Sequence, residues 1–228
     1  MNGAGYTRHR MSLRPRLLAY VVLALASATA GAAAASPPPF RSSVAVLTPA
    51  ERAAMTPSVW RRGCPVGLAS LRVVRVSHWD FRGRVRTGRL VMHRDVANQV
   101  VTVMRQVYAA GFPIRWMVPI ERFGGSDFRS IEADNTSAFN CRYVDGTRRW
   151  SEHAYGRAID INPIENPYVS GGSTTHPASV PFLRRMPRRP GMIVDGDAVT
   201  RAFGRAGWGW GGRWSGAKDY QHFSASGR

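Results

Sequence analysis

The ten residues SEHAYGRAID, at positions 151–160, decide how this chain arranges its most informative polar side chains. Ala158 and Asp160 alternate with two isoleucines, and this period of two predicts a buried β-strand. On such a strand the isoleucines point into the core while Asp160 faces the other side. Gly156 allows the chain to turn between His153 and the strand. The segment therefore predicts that one imidazole and one carboxylate converge on a point outside the sheet.

A second polar segment, DYQH at positions 219–222, supplies another imidazole and another carboxylate. His153, Asp160 and His222 together form a set of nitrogen, oxygen and nitrogen donors. Such a set suits Zn²⁺ and leaves a fourth position for water, which is typical of a catalytic zinc site. Bound zinc lowers the pKa of its water to about 7 and polarises a carbonyl group. Asp219, three residues before His222, is the predicted general base.

Three further histidines are not predicted to bind metal. His93 lies between an apolar segment and Arg94-Asp95, and it is predicted to have a helix-entry or a core role. His78 is predicted to lie near a strand end and has no partner at metal-binding spacing. His176 lies in a segment rich in Gly, Ser and Thr, and it is predicted to be exposed to solvent.

The flanking periodicities predict an α+β domain with a small, mostly antiparallel sheet and flanking helices. Thr48, Pro49 and Glu51 form the pattern of a helix start, with a capping box and proline in the first turn. Further helices are predicted over 95–110 and from a cap at Asp197 to about 205, and strands over 71–76, 88–93, 113–120, 157–162 and within 208–223. Residues 123–150 are predicted to form a long loop region, and loops of that length inside a compact domain are usually functional or disordered.

The N-terminus has the layout of a secretory signal. Residues 1–16 carry four arginines and no acidic residue, residues 17–35 are uncharged, and Ala33 and Ala35 precede Ser36 as a cleavage site would. An uncleaved N-terminal anchor is the alternative, and no other stretch is long and apolar enough to span a bilayer. Residues 36–47 are predicted to form a proline-rich linker, and 48–228 the catalytic domain. The protein is therefore expected to be secreted.

Export also changes the interpretation of the two cysteines. Cys64 and Cys141 would face an oxidising compartment, where an even number of cysteines predicts a disulfide. Their spacing does not fit a cysteine zinc site. Two separate buried thiols are the alternative.

The composition excludes a disordered chain, because 44% of the residues are hydrophobic and 10% are aromatic. The formal charge is +18, and removal of residues 1–35, with four arginines and no acidic residue, would leave +14. This charge would allow binding to anionic polymers. No nucleic acid partner is expected, because the arginines are spread along the whole chain without a recognition motif. The protein is expected to be a monomer.

The two polar segments together resemble a known family. The pattern S-x-H-x-x-G-x-A-x-D, followed by D-x-x-H, is similar to that of the zinc D-alanyl-D-alanine carboxypeptidases and related peptidoglycan metallopeptidases. This family includes VanY-type carboxypeptidases and phage L-alanyl-D-glutamate endopeptidases. The resemblance extends over most of residues 60–225 and includes RGCPV at 62–66, NTSAFNCR at 135–142, NP at 162–163, NPY at 166–168 and GWGWGG at 207–212.

The resemblance implies the small α+β fold shared with the hedgehog signalling domain and a single zinc ion as cofactor. It implies a secreted, extracellular or cell-wall-associated zinc peptidase that hydrolyses peptidoglycan stem peptides, most simply a D-alanyl-D-alanine carboxypeptidase. Arg142 matches the family arginine that contacts the substrate carbonyl or carboxylate, and Asp127 and Ser151 are further expected substrate contacts. Some relatives carry Glu at the position of Asp219. An L-alanyl-D-glutamate endopeptidase and a non-catalytic wall-binding module of the same fold remain the alternatives.

Overall fold

In the computed structural model, which describes residues 1–3, 5 and 37–228, the two longest strands form an antiparallel hairpin. β2 (Leu71–Trp79) and β3 (Val85–His93) pair along their whole length, and β1 (Ser42–Val46) pairs with the outer edge of β2. Helix α2 (Arg94–Ala109) follows β3 and packs its apolar face against the hairpin. The predicted strands and helix in this part of the chain are confirmed, with longer strands than predicted.

The second sheet carries the polar residues of interest. β6 (Ala158–Asp160), β10 (His222–Ser224) and β8 (Gly209–Trp210) form an antiparallel sheet in the order β6-β10-β8. Ile159, Ile161 and Phe223 are fully buried in the main core, together with apolar residues of α2 and of α4 (Ala198–Arg205). The isoleucines therefore lie in the core as predicted.

Two pairs of short strands complete the architecture. β4 (Trp116–Met117) pairs in parallel with β5 (Asn135–Thr136), and β7 (Tyr168–Val169) pairs antiparallel with β9 (Lys218–Asp219). The chain thus has mixed α and β structure with small sheets that are mainly antiparallel. The strand predicted over 113–120 is only two residues long, because prolines at 113 and 119 bracket it and proline cannot donate to a strand ladder.

Helix α1 (Pro49–Met55) begins as its sequence predicts. The Thr48 hydroxyl accepts a hydrogen bond from the Glu51 amide at 3.2 Å, and the Glu51 carboxylate accepts one from the Thr48 amide at 2.8 Å. This reciprocal capping box satisfies two amide donors that the first helical turn leaves without partners. Met55 is the buried anchor of the helix in a second apolar cluster on the other face of the hairpin.

Three sequence predictions need correction. The predicted linker over 36–47 contains β1, which joins the sheet because Ser42–Val46 pairs with β2. The predicted loop over 123–150 contains helix α3 (Asp127–Glu132), which Ser126 caps by accepting from the Arg129 amide. His176 is buried rather than exposed, and its ring lies 4.5 Å from that of Phe128.

Nothing in the structure bears on the predicted signal, because residues 4 and 6–36 lie outside the described residues. Within the described part of the chain, no helix combines the length and the apolar character needed to cross a membrane.

Candidate metal centre

His153 is carried by a short 3₁₀ turn, Glu152–Tyr155, whose two ends are fixed by neighbouring residues. At its start, the Ser151 hydroxyl accepts a hydrogen bond from the His153 amide at 3.3 Å. At its end, Gly156 has φ = 65°, and an added Cβ would lie 2.7 Å from the backbone nitrogen of His93. Only glycine fits this left-handed conformation and this close approach. The turn therefore holds the imidazole in one position.

Asp160 and His222 are brought together by strand pairing. They are directly opposite partners in the antiparallel ladder between β6 and β10, so their side chains lie on the same face of the sheet. The two residues are 62 positions apart in the sequence. The register of this ladder therefore creates the site, and a shift by one residue would move one of the two side chains to the core face.

The three side chains form one tight, buried cluster. The Nε2 atom of His153 lies 3.0 Å from one carboxylate oxygen of Asp160, and Nδ1 of His222 lies 3.0 Å from the other. The same two ring nitrogens are 3.3 Å apart. All three donor atoms lie within 4.8 Å of one another. One ligand atom from each residue thus faces a common centre.

Backbone carbonyl groups determine which ring nitrogens face that centre. Nδ1 of His153 lies 2.6 Å from the carbonyl oxygen of Ala138, and Nε2 of His222 lies 3.0 Å from that of Arg228. A carbonyl oxygen can only accept, so each of these outer nitrogens carries the proton. When each ring is neutral, as a metal ligand must be, its inward nitrogen, Nε2 of His153 or Nδ1 of His222, therefore presents a lone pair. Metal-binding histidines are held by such outer contacts in general.

The charges within the cluster reinforce one another. Burial alone would raise the pKa of Asp160, but the charges and hydrogen bonds of the two histidines hold it below its usual range. Burial would lower the pKa of His222, but the hydrogen bond and charge of Asp160 raise it to about 9. The centre therefore has a carboxylate that stays ionised and a strong affinity for positive charge.

Asp219 lies beside this cluster on β9. Its Oδ1 atom is buried and accepts no hydrogen bond from any described residue. Burial and the negative charge of Asp160 raise the pKa of Asp219 to about 6. The backbone there is tightly packed, since an added Cβ at Gly211 would lie 2.5 Å from the Asp219 carbonyl oxygen. Asp219 is thus a second carboxylate, and its pKa is raised whereas that of Asp160 is lowered.

Arg142 is fixed by an ion pair with Asp127, the first residue of α3. Its Nη2 atom lies 2.8 Å from Oδ2 of Asp127, and both side chains are about 30% exposed, at 27% and 29%. Burial would lower the pKa of Arg142, but Asp127, Asp160 and two further carboxylates raise it above its ordinary value. The negative charge of Asp160 therefore stabilises the charged guanidinium of Arg142.

The predicted disulfide between Cys64 and Cys141 is present and anchors the segment that carries Arg142. The Cys141 amide donates to the Val59 carbonyl at 3.0 Å, and Nη1 of Arg61 donates to the Cys141 carbonyl at 2.9 Å. The bridge joins this segment to the cluster around α1.

The structure brings the three predicted ligands, His153, Asp160 and His222, into one cluster, and the charge of Asp160 raises the pKa of both Asp219 and Arg142. Two other predicted residues have local contacts of their own, since Ser151 caps the turn of His153 and Asp127 pairs with Arg142. His93 caps α2, where its ring accepts from the Asp95 amide, as a helix-entry role predicts.

Sequence reasoning missed the two carbonyl groups that orient the histidines. Ala138 and Arg228 contribute only backbone oxygen atoms, which every residue type possesses. Ser224 supports the second one, because its hydroxyl also donates to the Arg228 carbonyl at 2.6 Å. No residue-type signal could have identified these contacts.

Comparison with known proteins agrees with the residues of this centre. Residues 145–225, which include all three clustered side chains and Asp219, match the family model described as D-alanyl-D-alanine carboxypeptidase. This match supports the zinc D,D-carboxypeptidase family that the sequence resembles. Searches of curated proteins and of solved structures found no significant match.

Proposed function

Because residues 145–225 carry the sequence of the D-alanyl-D-alanine carboxypeptidase family, we propose that the chain is a zinc peptidase that hydrolyses peptidoglycan stem peptides. The observation that carries the proposal is the buried cluster of His153, Asp160 and His222, with Asp219 beside it. A family match alone would also fit a wall-binding module without activity. Retention of a base beside a complete ligand set favours an enzyme.

The donor set fits a zinc ion by its own chemistry. With their outer N–H groups held by backbone oxygen atoms, both imidazoles in their neutral form direct lone pairs toward an ionised carboxylate. Three electron-rich atoms within 4.8 Å of one another are stabilised by positive charge among them, which protons supply in the raised pKa of His222 and which a metal ion can supply instead. Two imidazole nitrogens and one carboxylate oxygen are ligands that zinc accepts in a three-residue catalytic site. We therefore assign His153, Asp160 and His222 as the ligands.

Zinc bound by these three residues would supply an activated water molecule and polarise the scissile carbonyl group. Asp219 is then the residue that moves protons. Its Oδ1 atom has lone pairs to receive a proton from the attacking water, and the same carboxyl can pass that proton to the departing amine nitrogen. Asp160, held ionised by both histidines, cannot serve in this way.

Arg142 is the proposed contact for negative charge on the substrate. The ion pair with Asp127 fixes the orientation of its guanidinium, and a planar guanidinium recognises a carboxylate through two parallel hydrogen bonds. The same group could instead stabilise an oxyanion, which any peptide hydrolysis requires. We favour the terminal carboxylate, and therefore removal of the last D-alanine from a stem peptide, over internal cleavage between L-alanine and D-glutamate.

The experiment that tests this proposal compares two versions of one substrate. A pentapeptide stem ending in D-Ala-D-Ala and its C-terminal amide are incubated with the zinc-loaded protein, and the products are identified by mass. Release of D-alanine from the acid, with most of the efficiency lost on the amide, supports the carboxypeptidase. Equal cleavage of both, or a fragment that begins with D-glutamate, would instead assign the endopeptidase. No cleavage of any stem peptide would favour the wall-binding module.

Secretion completes the proposal. A cleaved signal at residues 1–35 would deliver the mature domain to the oxidising exterior where its substrate lies, and the disulfide fits that compartment. The likeness to the hedgehog domain fold and the monomeric state remain predictions of the sequence.

A further inference from the structure

A pocket of about 560 Å³, separate from the zinc centre, lies between the tip of the β2–β3 hairpin and β4. Its lining includes four arginines and a single acidic residue, Asp80, and none of the residues assigned to the zinc centre. A volume of this size is within the range of small-ligand sites and would hold one or two sugar units. The pocket is therefore a separate feature with a strong excess of positive charge.

Asp80 orients two of these arginines, and the three side chains together keep a net positive charge. One of its carboxylate oxygens accepts from the amides of Arg82 and Arg84, each at 2.9 Å. The other accepts from Nε of Arg84 and Nε of Arg86, each at 3.1 Å. Among the described residues, nothing forms a hydrogen bond with the Nη atoms of Arg84 or Arg86. Two guanidinium groups are thus oriented through Nε while their Nη groups stay available to a ligand.

The opposite wall adds a third guanidinium and an exposed aromatic face. Arg115 lies over the ring of Phe81 at 4.0 Å and is held by Asp134 and Glu165, each at 3.2 Å. Next to it, Trp116 is 57% exposed. An exposed indole beside fixed guanidinium groups offers both an apolar platform and anion recognition.

One side of the pocket is closely packed. Met117 of β4, which lines the pocket, packs so closely against β3 that an added Cβ at Gly88 would lie 2.3 Å from its sulfur atom. His78 also lines the pocket and is buried. The arginines therefore lie beside a closely packed pair of strands.

We propose that this pocket binds an anionic glycan of the cell wall, with a phosphate or carboxylate group on Arg84 and Arg86 and a sugar ring against Trp116. Identification of the polymer as a wall glycan rests on the proposed function. Neighbouring strands connect the pocket with the zinc centre. β4, which lines the pocket, pairs with β5, and Ser137, the residue after β5, pairs with Asp160 of the zinc centre. A bound polymer would thereby keep the enzyme beside its substrate.

A glycan fits the pocket better than a nucleic acid does. Single-stranded nucleic acids need a basic groove with several aromatic residues on which successive bases stack. Here four arginines line a confined pocket, and Trp116 is the exposed tryptophan among its lining residues. One sugar with one anionic substituent matches this arrangement.

The test measures binding by the mature chain, without substrate turnover. Calorimetry at 0.15 M salt compares a hexose-phosphate oligomer, a uronic acid oligomer, a neutral chito-oligosaccharide and a single-stranded DNA of similar length. The variant R84Q/R86Q removes two charges from the pocket, and R62Q/R122Q removes two exposed charges outside its lining as a matched control. A third variant, W116A, removes the aromatic face. Thermal melting confirms that each variant folds.

Binding of either anionic oligomer, weakened about 10-fold or more by R84Q/R86Q and less than about 3-fold by the control, supports the proposal. The oligomer that binds more tightly identifies phosphate or carboxylate as the recognised group. Equal affinity for the neutral oligomer, tighter binding of DNA, or no effect of R84Q/R86Q or W116A would overturn it. Hydrolysis of a short stem peptide without sugar should be unchanged in R84Q/R86Q. Loss of the proposed peptidase activity is therefore distinguishable from loss of glycan binding.

Discussion

Removal of the Cys64–Cys141 disulfide should destabilise the domain by an amount that its loop length determines. The two cysteines are 77 residues apart in the sequence. In the chain-entropy description, opening a loop of this size restores enough freedom to the unfolded chain to lower the free energy of unfolding by about 4.5 kcal/mol. For a domain of this size, that loss corresponds to a decrease in Tm of roughly 9–18 °C.

The assay is urea unfolding followed by tryptophan fluorescence, with the oxidised protein, the reduced protein and C64A/C141A compared. Reduction keeps both side chains, so it isolates the loss of the cross-link from the loss of packing around the buried Cys141. We expect reduction to account for most of the decrease and the double variant to be slightly less stable still. A difference of less than about 1 kcal/mol between oxidised and reduced protein would refute the reasoning from loop length.

Two further variants test the acidic residues. Asp219→Asn should keep its zinc but lose at least about 10²-fold in kcat, because the group that carries the proton is gone. Asp195→Asn, which changes an exposed carboxylate, is the control and should have normal turnover. Normal turnover of Asp219→Asn would show that Asp219 has no part in the mechanism. Burial and the nearby Asp134 raise the pKa of Glu165 to about 8, above its unfolded value of 4.5. The folded state therefore holds this proton more tightly, and stability should fall as pH rises between these two values. Glu165→Gln should reduce that fall in urea midpoints measured from pH 5 to 9, and parallel profiles would contradict the assignment.

Local sequence patterns were sufficient for the elements that local physics determines. The capping box at Thr48 and Glu51, the apolar stripe of α2 and the cap at Asp197 each act within a few residues, and each predicted helix is present. Helix α3 was not predicted, because its six residues are too few to show the helical period of apolar residues, and glycine and serine precede it. Strand β1 escaped because its pairing with β2 depends on residues far along the chain.

For the candidate site too, the sequence predicted the residue types but not the contacts that arrange them. The residue types and spacings around His153, Asp160 and His222 indicated the donor set, because few other functions need that combination of side chains. Their convergence depends on the β6–β10 register, and their ring orientation on carbonyl groups that carry no residue identity. Long-range register and backbone contacts of this kind are properties of the folded chain, which local patterns do not encode.

Zinc stoichiometry is the most direct test of the central claim that three residues form a metal centre. The mature wild-type protein, His222→Ala and His176→Ala are dialysed against buffered zinc, and metal per chain is measured by elemental analysis. His176 is a matched control, since it is also a buried histidine but lies outside the cluster. We predict about one zinc per chain in the wild type and in His176→Ala, and almost none in His222→Ala. Full zinc occupancy of His222→Ala, or a wild-type protein that binds no zinc, would contradict the claim.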